Sequence, residues 1–306
     1  MSKVILVDLA TLMFRAIFNW ERQVIDKQKT NDGRFILPSH YVYYTMLISA
    51  LKKIGVDKEN DLIIGCQEGK SWRKDYSSEY KAQRKADRDT HELINWDKMY
   101  AQFNKINDQL SEATNWHFIR EWKSEADDII SAACRYYTDK EIVIISIDSD
   151  LHQLLYYSNV KFFTLTKKCK GTNGIYISNV KDPLKIISEK ARKGDVSDNI
   201  LVPINDTSED ADLRYFLVNL LELPKEIENA IREKFDNLEK KELRLDNLPN
   251  FKNAKEKFLQ IYNPAHTISF EYCQKLMEKR EEKKKKKVKI AKEEKKLEKQ
   301  KEKKGE

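Results

Sequence analysis

The sequence predicts an α/β fold in which a mainly parallel sheet is followed by a helical region. Three apolar runs, beginning near residues 3, 61 and 141, are hydrophobic throughout rather than at alternate positions. Continuous hydrophobicity is typical of strands that are covered on both faces. Helical patterns separate these runs, which suits right-handed crossovers between parallel strands.

Each predicted strand ends in a polar residue. KVILV is followed by Asp8, DLIIGC by Gln67 and EIVIISI by Asp148. Sites in open parallel sheets form at the carboxyl ends of strands, so these three residues are expected to face one crevice. The helical patterns of this part cover roughly 39–54, 91–113 and 125–137.

The chain changes character after about residue 205. No Gly occurs between Gly194 and Gly305, and helical patterns lie near 209–221, 224–235, 250–262 and 267–278. We therefore predict three parts: an α/β domain over 1–205, a helical subdomain over 206–278 and a Lys-rich low-complexity tail over 279–306.

The tail accounts for the positive charge of the chain. It holds 15 of the 57 basic and 7 of the 50 acidic residues, which leaves 42 basic and 43 acidic residues elsewhere. With few large apolar residues it cannot bury a core face. A solubilising end and a nonspecific phosphate-binding arm both fit this composition.

Several classes of protein are disfavoured. No apolar run is long enough for a membrane span or a secretory signal, so a soluble, cytoplasmic protein is expected. The cysteines form no CxxC pair, which argues against a disulfide framework and a zinc site; they are Cys66, Cys134, Cys169 and Cys273.

Acidic residues gather at four places in the α/β part. Taken singly, SEADDII could be a capped helix start and GDVSDN an ordinary turn. Unpaired acids at the ends of apolar strands are costly, however, and oxygen ligands without His or Cys nearby indicate Mg²⁺ or Mn²⁺. Two such ions would serve phosphodiester hydrolysis. The candidate metal ligands are Asp8, Glu125, Asp127, Asp128, Asp148, Asp150, Asp195 and Asp198.

A basic segment lies between these acids in the sequence. Residues 70–88 carry seven basic and three acidic side chains directly after the second strand. Arg73, Lys81 and Arg84 could bind phosphate and Tyr80 could stack on a base, although a solvated charged helix would have a similar composition.

These motifs together resemble the flap-endonuclease or 5′-nuclease family, and most of all the bacteriophage enzymes called ribonuclease H that remove RNA primers. They cover roughly residues 1–200 in the family's order: ILVD, KSWRKDYSSEYKAQR, EADD, ISIDSDLHQL and KGDVSDN. The resemblance implies a PIN-like nuclease domain with a helical arch. It also implies a 5′-3′ exonuclease or flap endonuclease that leaves a 5′-phosphate and a 3′-hydroxyl.

The resemblance further implies roles for individual residues. Asp8, Glu125, Asp127 and Asp148 would serve one Mg²⁺, and Asp150, Asp195 and Asp198 a second, partly through water. Asp128 would be a shared acid or would lie behind the direct ligands, and Mn²⁺ is an alternative ion. Asp148 and Asp150 join Lys81 and Arg84 as catalytic residues. Lys81 and Arg84 would grip the scissile phosphate from the arch, while Tyr80 stacks near it and Arg73 assists.

The implied partners are DNA and RNA–DNA hybrids with free 5′ ends or flaps, together with replication proteins such as a polymerase, a clamp and a single-strand-binding protein. The protein would be a monomer, in the host cytoplasm if phage-encoded. Two departures from the family pattern stand out. Gln67, followed by Glu68, occupies the place where the family usually has an Asp, and the stretch after GDVSDN lacks the Gly-containing hairpin that grips duplex.

Two rival functions share parts of this pattern. A PIN-type endoribonuclease would have the acidic pocket without the basic segment. A noncatalytic DNA-binding protein could keep the fold without a complete metal site. An aspartyl phosphatase would need an acid where Ala10 stands.

Overall fold

The computed structural model describes residues 2–30, 36–57, 60–164, 175–176, 182–249 and 258. The strands are β1 Lys3–Asp8, β2 Leu62–Gln67, β3 His117–Arg120, β4 Glu141–Ile145, β5 Val160–Phe163 and β6 Ile175–Tyr176. The helices are α1 Leu9–Thr30, α2 Ser39–Ile54, α3 Arg84–Asp89, α4 Trp96–Ala113, α5 Ala126–Tyr136, α6 Pro183–Lys193, α7 Ser208–Val218 and α8 Lys225–Asp236. Short 3₁₀ helices cover Trp72–Asp75, Asp150–Tyr156, Val196–Asp198 and Leu245–Asn247.

The strands form one sheet in the order β3-β2-β1-β4-β5-β6. The first five strands are parallel and β6 is antiparallel to β5, so the predicted α/β fold with a mainly parallel sheet is confirmed. The strand order reverses between β1 and β4, which is where open α/β sheets form their ligand crevice. Asp8 ends β1, and Asp148 lies shortly after β4 ends at Ile145. The sheet therefore brings these two acids to one edge.

The two faces of the sheet are covered by different helices. Leu6, Ile64 and Cys66 belong to a buried cluster that also contains residues of α5 and α8. Gly65 points the other way, because a Cβ there would lie only 2.9 Å from Phe118 and 3.0 Å from Leu9 at the start of α1. Alternation along β2 thus places even-numbered side chains towards α5 and odd-numbered ones towards α1. It therefore turns Gln67, the last residue of β2, towards α1.

The predicted helices are largely confirmed. Helix α2 has the predicted bounds, α5 begins one residue late because Glu125 caps it, and α4 begins at Trp96 because the Asn95 side chain caps it. Helix α1 was not predicted, nor were the short strands β3, β5 and β6. The segment 70–88, expected to form a helical arch, contains the 3₁₀ turn Trp72–Asp75 and the short helix α3.

Helices α7 and α8 correspond to the first two helices predicted after residue 205. Leu220, Ile227 and Phe235 share the buried cluster of β1, β4 and α5, so apolar contacts cross the predicted boundary at residues 205 and 206. The division into domain and subdomain stays a prediction. The helical pattern at 250–262 apart from Phe258, the pattern at 267–278 and the tail at 279–306 lie outside the described residues. Within the described part, no helix is both long and apolar enough to cross a membrane.

Candidate active site

Asp8 forms the floor of the crevice, with only 3% of its surface exposed. Its carboxylate accepts hydrogen bonds from the Thr11 backbone N–H at 3.0 Å, from the Thr11 hydroxyl, and from the Ser146 hydroxyl at 2.7 Å. The Ser146 oxygen in turn accepts a hydrogen bond from the Asp148 backbone N–H at 3.0 Å. Burial raises the pKa of Asp8, and the nearby Asp148 carboxylate adds to this effect.

The amino end of α5 contributes a third acid to this floor. Glu125 and Asp128 form a reciprocal capping box, in which the Glu125 backbone N–H donates to Asp128 at 2.9 Å. Asp127 instead lines a cavity of about 760 Å³ together with Asp8 and Asp148. Burial, followed by the Asp148 and Asp8 carboxylates, raises the pKa of Asp127 well above its ordinary value. Such mutual repulsion favours a bound cation.

Glu68, not Gln67, lies at this acidic floor. Glu68 lines the same cavity as Asp8 and Asp127, and its carboxylate is 3.4 Å from the backbone nitrogen of Ala126. Solvent in the cavity reaches Glu68, yet enclosure in the crevice and then the Glu125 carboxylate raise its pKa to about 8. Gln67 lines a neighbouring cavity on the α1 side. The expectation that Asp8, Gln67 and Asp148 would share one crevice is therefore wrong for Gln67, because alternation turns it to the opposite face.

A second group of acids lies beside the first. Carboxylate oxygens of Asp150, Asp195 and Asp198 are all within 4.8 Å of one another, an arrangement able to hold a metal ion. Lys190 of α6 places its ammonium 2.5 Å from the Asp150 carboxylate and also pairs with Asp195. The lysine thus supplies positive charge at this group. The sequence analysis did not identify Lys190. Its position one helical turn before GDVSDN was the signal that a basic residue could lie beside these acids.

Two residues expected to contact nucleic acid are instead internal. Arg73 is 2% exposed, and its guanidinium pairs with Glu125 at 3.0 Å and with Asp128 at 2.9 Å. Tyr80 is also 2% exposed, and its hydroxyl oxygen lies within hydrogen-bond distance of the carboxylates of Glu125, at 2.9 Å, and Asp198, at 3.0 Å. Neither side chain is open to a phosphate or a base in this structure. Their polar groups contact acids instead of solvent, which differs from the exposed, substrate-facing placement that was expected.

Lys81 and Arg84 stand between the acids and the cavity that both residues line. The Lys81 ammonium lies 2.5 Å from Glu125 and 3.6 Å from Asp198, and one Arg84 nitrogen is 2.6 Å from Asp198. Lys81 has a φ of 55°, a left-handed conformation uncommon outside glycine, and its backbone N–H donates to the Asp198 carbonyl at 2.8 Å. The turn thereby holds the ammonium over the acids.

Helix α1 extends the cavity away from the acids. Phe14, Arg15, Phe18 and Arg22 line it, and the rings of Phe14 and Phe18 stack at 6.0 Å. Sequence reasoning did not identify this surface. The spacing of Arg15 and Arg22 over two helical turns, beginning directly after the Asp8 strand, was the signal for a basic helix face.

Residues 3–191, well over half of the chain, match the family described as the 5′-3′ exonuclease, N-terminal resolvase-like domain. The chain belongs to this 5′-3′ exonuclease family. Within the family, a 5′-3′ exonuclease of Mycoplasmopsis pulmonis (strain UAB CTIP) is 30% identical over 167 residues, which cover 52% of this chain and 51% of that protein. The chain thus matches about half the length of this curated relative.

Solved structures of a bacteriophage T5 protein are also similar to this member of the family. The T5 D15 protein crystallised with metal ions is 21% identical, with a TM-score of 0.46 over 85% of this chain and 99% of that one. The T5 D15 flap endonuclease in a complex with DNA and metal ions is 20% identical, with a TM-score of 0.47 over 90% of this chain and 97% of that one.

Proposed function

We propose that the chain is a metal-dependent 5′-nuclease that hydrolyses phosphodiester bonds at 5′ ends or flaps of DNA or RNA–DNA hybrids. The observation that carries the proposal is the convergence of two carboxylate groups with Lys81 and Arg84 at the switch point of the sheet. Family membership supports the same reaction class. Primer removal during DNA replication, with replication proteins as partners and the protein acting as a monomer, is the biological setting we propose.

The donor set fits divalent metal ions. All the converging donors are carboxylate oxygens, which suit hard cations such as Mg²⁺ or Mn²⁺, and their mutual repulsion is relieved by positive charge. Asp8, Glu68, Asp127 and Asp148 would hold one ion, and Asp150, Asp195 and Asp198 a second. When bound, the ions would supply an activated water and stabilise the leaving oxygen.

The protein residues position the substrate phosphate around these ligands. Arg84 keeps 46% of its side-chain surface exposed, so its guanidinium can donate to a phosphate oxygen while Asp198 orients it. The Lys81 ammonium, which donates a hydrogen bond to Glu125 and is thereby held in place, is a second donor for the substrate phosphate. Glu125 and Asp128, which we expected to serve the metal site, contact Arg73 here, and we propose that they act by orienting Lys81 and α5.

Replacing Asp150 by Asn tests the catalytic proposal. We expect Asp150→Asn to abolish cleavage of a 5′-flap substrate in Mg²⁺, because a carboxylate proposed to hold metal is lost. Glu189→Gln, one residue before Lys190 on the exposed surface of α6, is the matched control and should cleave normally.

The substrate form separates the proposal from its rivals. A bulky block at the flap's 5′ terminus should slow cleavage if a free 5′ end is required. Equal rates on blocked flaps and closed circles would favour an endoribonuclease-like or nonspecific nuclease. A gel shift without any cleavage in Mg²⁺ or Mn²⁺ would favour a noncatalytic DNA-binding protein.

A further inference from the structure

A second cavity adjoins the candidate active site on the α1 side of β2. It measures about 470 Å³, within the range of about 300–1,000 Å³ that is usual for small-ligand pockets. Phe14, Glu68 and Arg84 line both cavities, so the second continues directly from the place where the scissile phosphate would lie.

The second cavity is rich in guanidinium groups. Arg84, Arg88 and Arg120 line it, whereas Glu68 is the one acidic residue among the described residues that line it. Arg120 ends β3 in register with Gln67, which places it at the carboxyl edge of the sheet. Across the part of the chain that the structure describes, neither Arg88 nor Arg120 has a carboxylate partner. Two such unpaired guanidiniums in a concave site are suited to a phosphate.

The remaining wall offers contacts suited to a nucleoside. Tyr100, Asn104 and Asn107 recur at the spacing of one face of α4, and all three line the cavity. The amide oxygen of buried Asn107 accepts a hydrogen bond from Tyr43 at 2.7 Å, which leaves its NH₂ group as a donor. An aromatic ring beside amide groups can stack on a base and hydrogen-bond its edge without demanding one sequence.

We propose that this second cavity binds the 5′-terminal nucleotide of the substrate, with Arg88 and Arg120 holding a 5′-phosphate monoester. The inference rests on the proposed nuclease function and specifies its substrate end. The terminal phosphate would lie at Arg88 and Arg120, and the next phosphate along the strand would lie at Lys81 and Arg84. The enzyme would then prefer phosphorylated 5′ ends and release mononucleotides from them.

Binding measured without catalysis tests this inference. Full-length protein in EDTA is titrated with a four-residue oligothymidylate carrying either a 5′-phosphate or a 5′-hydroxyl. We expect about tenfold tighter binding of the phosphorylated strand, since a charge-assisted contact to a phosphate is worth at least one factor of ten. Arg120→Gln and Arg88→Gln should each reduce this preference towards one, with unchanged melting temperature.

Arg22→Gln is the matched control, because Arg22 lines the first cavity and not the second. This variant should keep the preference for the 5′-phosphate even if overall affinity falls. Equal binding of the two strands by the unmodified protein would overturn the inference, as would loss of the preference in Arg22→Gln alone. If the protein cleaves DNA in Mg²⁺ but shows no preference for the 5′-phosphate, this inference is wrong and the nuclease proposal stands. If it shows the preference but does not cleave, the nuclease proposal is wrong and the phosphate site stands.

Discussion

At the scale of single residues, one position in β2 decides whether the first metal site is complete. The family pattern places an acid near the end of this strand, and here the candidates are Gln67 and Glu68. Gln67 is the last residue of β2 and lines only the cavity on the α1 side, whereas Glu68 follows the strand and also lines the cavity that contains Asp127. On the proposed function, Glu68 would supply the missing acid from the neighbouring position.

A metal titration of two variants tests this assignment. Glu68→Gln should raise the Mg²⁺ concentration needed for half-maximal cleavage roughly tenfold or more, in line with the effect of removing carboxylates around metal sites. Gln67→Asp should change it little, since that side chain lines the other cavity. Direct Mn²⁺ binding without substrate provides a second measurement. The opposite ranking of the two variants would return the ligand role to position 67.

At the scale of elements, buried ion pairs join the basic segment to α5. Arg73 lies in the 3₁₀ turn Trp72–Asp75, pairs with both acids of the α5 capping box and donates to the Leu217 carbonyl of α7 at 2.8 Å. Burial alone would raise the pKa of Glu125, but Lys81 and Arg73 together hold it at about 2. The segment that carries Lys81 and Arg84 is thus fixed to the same helix that supplies Asp127.

Removing the Arg73 guanidinium should therefore destabilise the fold as well as the site. We expect Arg73→Met to lower the free energy of unfolding by about 3–5 kcal/mol, because it leaves buried carboxylates without their partner. Arg232→Met, at an ion pair with 40% of the arginine side chain exposed, should cost about 0–1 kcal/mol. Urea denaturation of both variants measures the difference. Equal losses of unfolding free energy in the two variants would mean that the Arg73 ion pairs contribute little to stability.

The elements that sequence reasoning predicted are those with a strong local pattern. Strands β1, β2 and β4 and helix α2 have continuous apolar runs or clear helical spacing, and all were predicted, although β4 ends at Ile145 instead of Ile147. Strands β3 and β5 have only four residues each, too few for a pattern to stand out from the surrounding chain. Helix α1 was not predicted because it follows the Asp8 strand without a break, so that no turn signal separates the two elements.

The acids that gather in the crevice, and Lys81 and Arg84 beside them, could be proposed from the sequence, but the burial of Arg73 and the presence of Lys190 could not. A carboxylate at the end of an apolar strand carries an evident cost in the sequence, so Asp8 and Asp148 attract notice. A basic residue in a charged segment does not reveal whether it is internal or exposed. The burial of Arg73 and the pairing of Lys190 with Asp150 depend on contacts between distant parts of the chain, which no local pattern contains.

At the scale of the whole molecule, the charges that would meet a long nucleic acid are unevenly distributed along the chain. Outside residues 279–306 basic and acidic residues almost balance, at 42 and 43. The stretch after GDVSDN, where the family often grips duplex, carries exposed Leu201 and Ile204, and Asp206 there is paired with Arg214 at 2.6 Å. The Lys-rich tail is therefore the main concentration of positive charge in the sequence, and we propose that it supplies sequence-independent affinity for duplex.

Deleting residues 279–306 tests this division of roles. Each phosphate contact to duplex DNA contributes about −0.9 to the slope of log affinity against log salt concentration, so the truncated protein should have a flatter slope by several such increments. Its catalytic rate at saturating substrate should stay the same, because the acids, Lys81 and Arg84 all precede residue 200. A variant that keeps the tail length but replaces its lysines by glutamine separates charge from bulk and should match the truncation. Binding isotherms at several salt concentrations with a 5′-flap duplex in Ca²⁺ provide the measurement, and an identical slope for all three proteins would leave the tail as a solubilising end.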